Sequence, residues 1–304
     1  MSNKTLQLKT WLPTVCQIAY DAGQLISTYY HQSQAVDIER KSDGSPVTEA
    51  DKAADEFICI ALKHLTPDIP LVTEESIGNV PFAERQAWST YWLVDPLDGT
   101  KEFIAETGEY SVNIALIHNH HPVMGVVYGT ELGDFYFAYQ DLDGADSKSV
   151  DSIVGKLEGL FPSSLPLDCD WQCQLNKAKP IQVADLPLQQ HGEGQPFRVA
   201  VSRRHGSRLQ RFMGELGHST TVKMGSALKT CLVAEGKADV YPRFGPTSLW
   251  DTGAAQCILE VAGGAVINAA GHSLEYIQTE SLLNPFFIAV GDKNHHWPHF
   301  PEVM

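Results

Sequence analysis

The run Tyr91-Trp92-Leu93-Val94-Asp95-Pro96-Leu97-Asp98-Gly99-Thr100 decides how the chain is read. Its first four residues are apolar, with the aromatic and β-branched types that favour a strand. The strand then ends in two aspartates three residues apart across a proline-containing turn, so both carboxylates can face one point. The Leu97 carbonyl between them offers a third oxygen, and a hard divalent cation takes carboxylate, carbonyl and water oxygens together. Gly99 lets an anion approach the backbone. Thr100 opens a short helical stretch through Glu102, Phe103 and Ile104 whose free N–H groups attract negative charge. An Asx turn with a helix cap would account for one aspartate easily, but less well for two followed by Gly-Thr.

Working outward, Thr73-Glu74-Glu75 follows a strand-like run, and Trp250-Asp251-Thr252-Gly253 opens a helix near the far end of the chain. Either alone has an ordinary explanation, since paired glutamates are usually solvated and an aspartate before a helix is usually its cap. Taken with Asp95 and Asp98, they match a multi-metal site that draws carboxylates from several strand and helix ends.

The rest of the chain supplies a scaffold. Trp11, Val15, Ile18, Ala19, Ala22, Leu25 and Ile26 have helical spacing, and Thr48 with Asp51 is an N-cap signature for a second helix. Strand-like runs follow at 69–72, 91–94, 111–118, 123–128 and 134–139. Residues 1–150 are expected to form an N-terminal α+β domain carrying most of the candidate ligands, 151–196 an irregular connection, and 197–304 a C-terminal α/β domain. A net charge of −15 speaks against long nucleic acid as a partner, whereas a bound divalent cation would still let the site take a small phosphorylated molecule. No apolar run reaches the roughly 20 residues of a membrane span, and no secretory segment is seen. The expected location is cytoplasmic, at most in peripheral contact with the inner face of the membrane. The six cysteines have neither zinc-ribbon nor thioredoxin spacing and are expected to be reduced. Oligomeric state is not legible.

Together, Glu74-Glu75, Asp95 to Thr100 and Trp250-Asp251 resemble the three signature motifs of the inositol monophosphatase superfamily of lithium-sensitive, Mg²⁺-dependent phosphatases, in the family's order. Three further segments are similar to its bacterial 3′(2′),5′-bisphosphate nucleotidase branch: Lys41 to Asp51, Gly225-Ser226-Ala227-Leu228-Lys229 and Tyr241-Pro242-Arg243-Phe244-Gly245-Pro246. The resemblance implies a layered αβαβα sandwich like that of fructose-1,6-bisphosphatase. The implied reaction is hydrolysis of adenosine 3′,5′-bisphosphate, or its phosphosulfate relative, to the 5′-nucleotide and phosphate by metal-activated water.

The resemblance further implies two or three Mg²⁺ ions. One would be held by Glu74, Asp95 and the Leu97 carbonyl, a second by Asp95, Asp98 and Asp251, and a weaker third would lie near Glu74. Thr100 and Asp43 would orient and deprotonate the attacking water beside Glu74. Gly99, Thr100, His205, Ser226, Lys229 and Arg243 would hold the substrate. Residues 141–196 match no family motif. An inositol monophosphatase or other small sugar-phosphate phosphatase is the nearest alternative. A metal-dependent nucleotide sensor without turnover is a different class, against which stands the presence of every ligand position and of Thr100.

Overall fold

Apolar residues recurring every three or four positions make Leu8–Tyr30 helix α1, with Leu8, Leu12, Val15, Ala19, Ala22 and Ile26 on its buried face. The computed structural model describes residues 6–32, 38–40, 46–141, 151–186, 195–203 and 206–300. A small antiparallel pair, β1 (Ile38–Arg40) and β2 (Pro46–Thr48), leads into α2 (Glu49–Leu65), whose first turn is closed by reciprocal capping between Thr48 and Asp51. Next come β3 (Leu71–Thr73), α3 (Phe82–Arg85), β4 (Thr90–Asp98), α4 (Thr100–Ile104), β5 (Ser111–His118), β6 (His121–Gly129), β7 (Asp134–Gln140) and β8 (Ser152–Leu157). These strands form one sheet in the order β3-β4-β5-β6-β7-β8, in which only β3 and β4 run parallel.

The chain continues through α5 (Trp171–Leu175), β9 (Phe197–Val201), α6 (Ser207–Leu216), β10 (Ser219–Lys223), α7 (Leu228–Ala234) and β11 (Val240–Arg243). A 3-10 turn at Leu249–Asp251 precedes α8 (Gly253–Val261), and β12 (Ala265–Asn268) and β13 (Phe287–Val290) complete a second sheet ordered β10-β9-β11-β13-β12.

The first sheet is buried on both faces, which explains why β4 and β5 are apolar throughout most of their length. Trp92 and Val94 face the cluster that holds α1 and α2, while Tyr91 and Leu93 face the cluster that holds α7 and α8. Ala200, Tyr241, Phe287 and Ala289 cover the opposite side of α7 and α8, and Leu209, Phe212 and Leu216 of α6 pack on the outer face of the second sheet. The layers are therefore helix, sheet, helix, sheet, helix, as expected.

Within 151–196, expected to be irregular, Ser152–Leu157 pairs with β7 and Trp171–Leu175 is helical. The strand was illegible because β8 is an edge: Ile153 is 38% exposed, and pairing to β7 rather than an apolar pattern defines it. Among the described residues no helix is long and apolar enough to cross a membrane.

Candidate active site

Strand alternation fixes where Asp95 points. Tyr91 and Leu93 face the central helical layer, and Asp95, two residues on, continues that side of the strand. The register of β4 against β5 shifts between Asp95 and Asp98, so Asp95 lies opposite Asn113 and Asp98 opposite Ser111. Gly99 then takes φ +97°, a conformation that a β-carbon strains, and turns the chain into α4. α8 packs across β5, β6 and β7, which brings the turn before it to the same place. Asp251 accepts the Ser248 N–H at 3.0 Å, and carboxylate oxygens of Asp95, Asp98 and Asp251 lie within 4.8 Å of one another.

Two further predicted ligands border this cluster. Leu97 donates its N–H to Asp95 Oδ1 at 3.1 Å, and its carbonyl accepts a long bond from Thr100 Oγ1 at 3.4 Å. Glu74 follows β3, its N–H donating to the Val94 carbonyl at 3.2 Å, and its charge is felt at Asp95, Asp51 and Asp251.

The electrostatics describe a site in need of positive charge. Burial raises Asp95 well above the usual aspartate range, and repulsion from Glu74, Asp98 and Asp251 raises it further. Burial also raises Asp98, against the lowering effect of Lys229, Asn113 and the Ala227 N–H. Asp251 is pushed up to about 7, first by burial and then by Asp98. Carboxylates crowded against one another, with a main-chain carbonyl alongside, are the hard-oxygen set that fits a divalent cation.

Thr100 and Asp51 form a separate polar pair beside the cluster. Asp51, 1% exposed, uses Oδ2 to accept the Thr48 N–H and hydroxyl at 2.8 and 2.6 Å. Its Oδ1 accepts the Thr100 hydroxyl at 3.0 Å. Burial raises the Asp51 pKa, the hydrogen bonds from Thr48 and Thr100 oppose that rise, and Glu74 adds to it. Sequence reasoning paired Thr100 with Asp43 and gave Asp51 only a capping role. Asp43 lies outside the described residues; among the described residues the carboxylate that Thr100 meets is Asp51.

Next to the cluster opens a cavity of about 750 Å³. Asp98, Gly99, Asp251, Ser226, Lys229 and Arg243 all line it, so these sequence-predicted residues share one space. Lys229 is 4% exposed, donates to the Ser226 carbonyl at 2.5 Å and lies 5.1 Å from the centre of the Tyr241 ring. Arg243 donates to the Pro246 carbonyl at 3.0 Å, while its Nε is buried with no hydrogen-bond partner among the described residues. Lys101 and Arg203 also line the cavity, and Arg203 is held by both oxygens of Glu109. His205 lies outside the described residues.

The sequence reading missed Lys101 and Asn113. The first is masked by its position in a surface-like charged stretch. The second could have been found as a polar interruption, together with Ser111, on one face of an otherwise apolar strand.

Comparisons with known proteins point the same way. The sequence model of the Inositol monophosphatase family matches residues 7–296. The 3′(2′),5′-bisphosphate nucleotidase CysQ of Salmonella typhimurium is 43% identical over 278 residues, covering 91% of this chain and 98% of that protein. Its counterpart from Escherichia coli K12 is 40% identical over 277 residues, with the same two coverages. The crystal structure of CysQ from Bacteroides thetaiotaomicron, described as a bacterial member of the inositol monophosphatase family, superimposes with a TM-score of 0.75 at 36% identity. That match covers 94% of this chain and 98% of the other. With the signature carboxylates converging in space and the match running almost end to end, the chain belongs to the inositol monophosphatase family.

Proposed function

We propose that the protein is a Mg²⁺-dependent phosphomonoesterase that removes the 3′-phosphate of adenosine 3′,5′-bisphosphate, or of its 5′-phosphosulfate relative. Phosphatases of this family are metal-dependent, and the acidic cluster fits that requirement. The observation that carries the substrate reading is the cavity. In a chain of net charge −15, one space collects Lys101, Arg203, Lys229 and Arg243 next to the carboxylates. A nucleotide with two phosphates matches that layout, one phosphate at the cluster and one among the cations. A sugar monophosphate would offer no second anion to Arg243, whose buried Nε has no hydrogen-bond partner among the described residues. The bacterial relatives that are 3′(2′),5′-bisphosphate nucleotidases agree with this choice.

Two or three Mg²⁺ ions, held by Glu74, Asp95, the Leu97 carbonyl, Asp98 and Asp251, would polarise the phosphoryl group and lower the pKa of the attacking water. The remaining work falls to the chain. Thr100 Oγ1, anchored by Asp51 Oδ1, orients the water, and the Asp51 carboxylate draws on its proton through the Thr100 hydroxyl. Gly99 lets the phosphate approach the backbone. Lys229, Ser226 and Arg243 hold the far end of the substrate, with Tyr241 packed under Lys229.

We read the chain as two units, each built on one sheet, with the first extending past residue 150 to include β8, the second spanning 197–304, and the acidic cluster built from both. Six cysteines without a disulfide support a cytoplasmic location.

The test is turnover with Mg²⁺ of adenosine 3′,5′-bisphosphate, inositol 1-phosphate and fructose 1,6-bisphosphate. The nucleotide is expected to have the highest kcat/KM by at least about tenfold, an energy difference that one charge-assisted contact supplies. Preference for either sugar phosphate would overturn the substrate assignment. Full activity in Asp98→Asn would overturn the metal site.

A further inference from the structure

Strand β5 is apolar along its buried length except at Ser111 and Asn113. The two are separated by one residue and so lie on one face, that of the acidic cluster, and they are 0% and 1% exposed. A buried amide is tolerated only where both of its ends are satisfied. Asn113 meets that condition: its Nδ2 donates to Asp98 Oδ2 at 3.2 Å, and its Oδ1 accepts from Ser111 Oγ at 2.9 Å. The carboxylate fixes this orientation, because turning the amide over would set its oxygen against the negative charge of Asp98.

The same Asp98 Oδ2 also accepts the Ala227 N–H, at 2.5 Å. One oxygen of Asp98 is thus committed to two donors, which leaves the other to face a cation. The donors come from opposite sides of the site. Asn113 belongs to the first sheet, whereas Ala227 lies two residues before Lys229 in the segment that lines the cavity. That segment is closely seated, with Ser226 at φ +46° and Gly225 pressed against the Glu109 carbonyl.

We propose that Asn113 is a positioning residue that presents Asp98 to the cation with one oxygen, with Ser111 holding the amide in that pose. Asp98 in turn links cation binding to the seating of the segment that carries Lys229. The inference rests on the reading of the acidic cluster as a cation site, and the experiment separates the two.

The full-length protein, stripped of metal, is titrated with Mg²⁺ by isothermal calorimetry as wild type, Asn113→Leu, Ser111→Ala and Asp98→Asn, with thermal unfolding in chelator to verify folding. Asn113→Leu is expected to bind Mg²⁺ roughly 10- to 100-fold more weakly, the usual effect of removing a partner that orients a metal ligand. Ser111→Ala, which keeps the donor but frees its orientation, is expected to lose less. A purely structural role for Asn113 would lower the unfolding temperature and leave cation affinity unchanged. A folded Asn113→Leu protein that binds Mg²⁺ as wild type does would therefore overturn the proposal. If that variant does not fold, Ser111→Ala decides: weaker binding supports the proposal and unchanged binding overturns it. Unchanged binding in Asp98→Asn would instead overturn the cation site itself.

Discussion

Asp51 carries two tasks on two oxygens. Oδ2 closes the first turn of α2 and Oδ1 takes the Thr100 hydroxyl. Asp51→Asn keeps an oxygen for the cap but removes the negative charge behind Thr100. Its stability loss is expected to be about 1 kcal/mol, in the range of a helix cap. Its turnover is expected to fall by about 100-fold or more, in the range of a lost general base. Thr100→Ser should retain much of the rate and Thr100→Val should lose it. Single-turnover phosphate release alongside urea denaturation checks all three, and a near-normal rate in Asp51→Asn would remove Asp51 from the reaction. The residues that share a short motif, Asp95, Leu97 and Asp98, were legible because their spacing alone brings them together. Asp51 was legible only as a cap. Its second role depends on Thr100, 49 residues away, and that contact exists only after α2 packs beside β4.

The elements divide in the same way. α1, α2 and the central strands β4 to β7 were readable because burial of one or both faces writes a period into the sequence. β8 and β10 were not. Both lie at sheet edges with exposed residues, and their partners rather than their composition define them. The segment before α7 shows what spacing cannot convey. Gly225 was noticed as part of a motif, yet its physical reason is tertiary, because a β-carbon there would collide with the Glu109 carbonyl. Gly225→Ala must push the segment away, taking Ala227 from Asp98 and moving Lys229. A loss of about 1–3 kcal/mol is expected from overpacking, together with a higher KM for the nucleotide. Urea denaturation and steady-state kinetics measure the two effects, and an unchanged KM would show that this seat does not control substrate binding. Lys156 gives the contrasting case. Its ammonium is 3% exposed, between Asp134 at 2.9 Å and Glu235 at 3.0 Å, and joins β8 to the end of α7 outside the cavity lining. Lys156→Met leaves Glu235 with Lys237, at 3.1 Å, as its remaining cation and takes the cation from Asp134. It should cost about 1–3 kcal/mol of stability while KM stays unchanged.

At the scale of the whole molecule, the fold concentrates negative charge that it does not itself neutralise. Burial raises Asp51, Asp95 and Asp98, repulsion from neighbouring carboxylates adds to the rise at Asp95 and Asp51, and burial with repulsion from Asp98 brings Asp251 to about 7 from an ordinary value of 3.8. A folded-state value above the unfolded one means that the native protein holds more protons through that interval, so stability falls as pH rises. For Asp251 the contribution is fully present below 3.8 and is lost as pH climbs through about 7. A divalent cation requires the deprotonated cluster, binds more tightly as pH rises, and returns stability by mass action, about 2.7 kcal/mol at a hundredfold excess over Kd. Calorimetric melting in chelator is therefore expected to show an unfolding temperature that Asp251 lowers from about pH 4 to about pH 7. In saturating Mg²⁺ the decline should be reduced or absent, and the two curves should draw together at low pH, where protons displace the ion. Asp95→Asn, which removes the most strongly repelled carboxylate, should flatten the chelator curve and shrink the separation between the two conditions. Curves that run parallel across the whole range would mean that the cluster does not take up a cation in competition with protons, and the metal centre would have to be sought elsewhere in the fold.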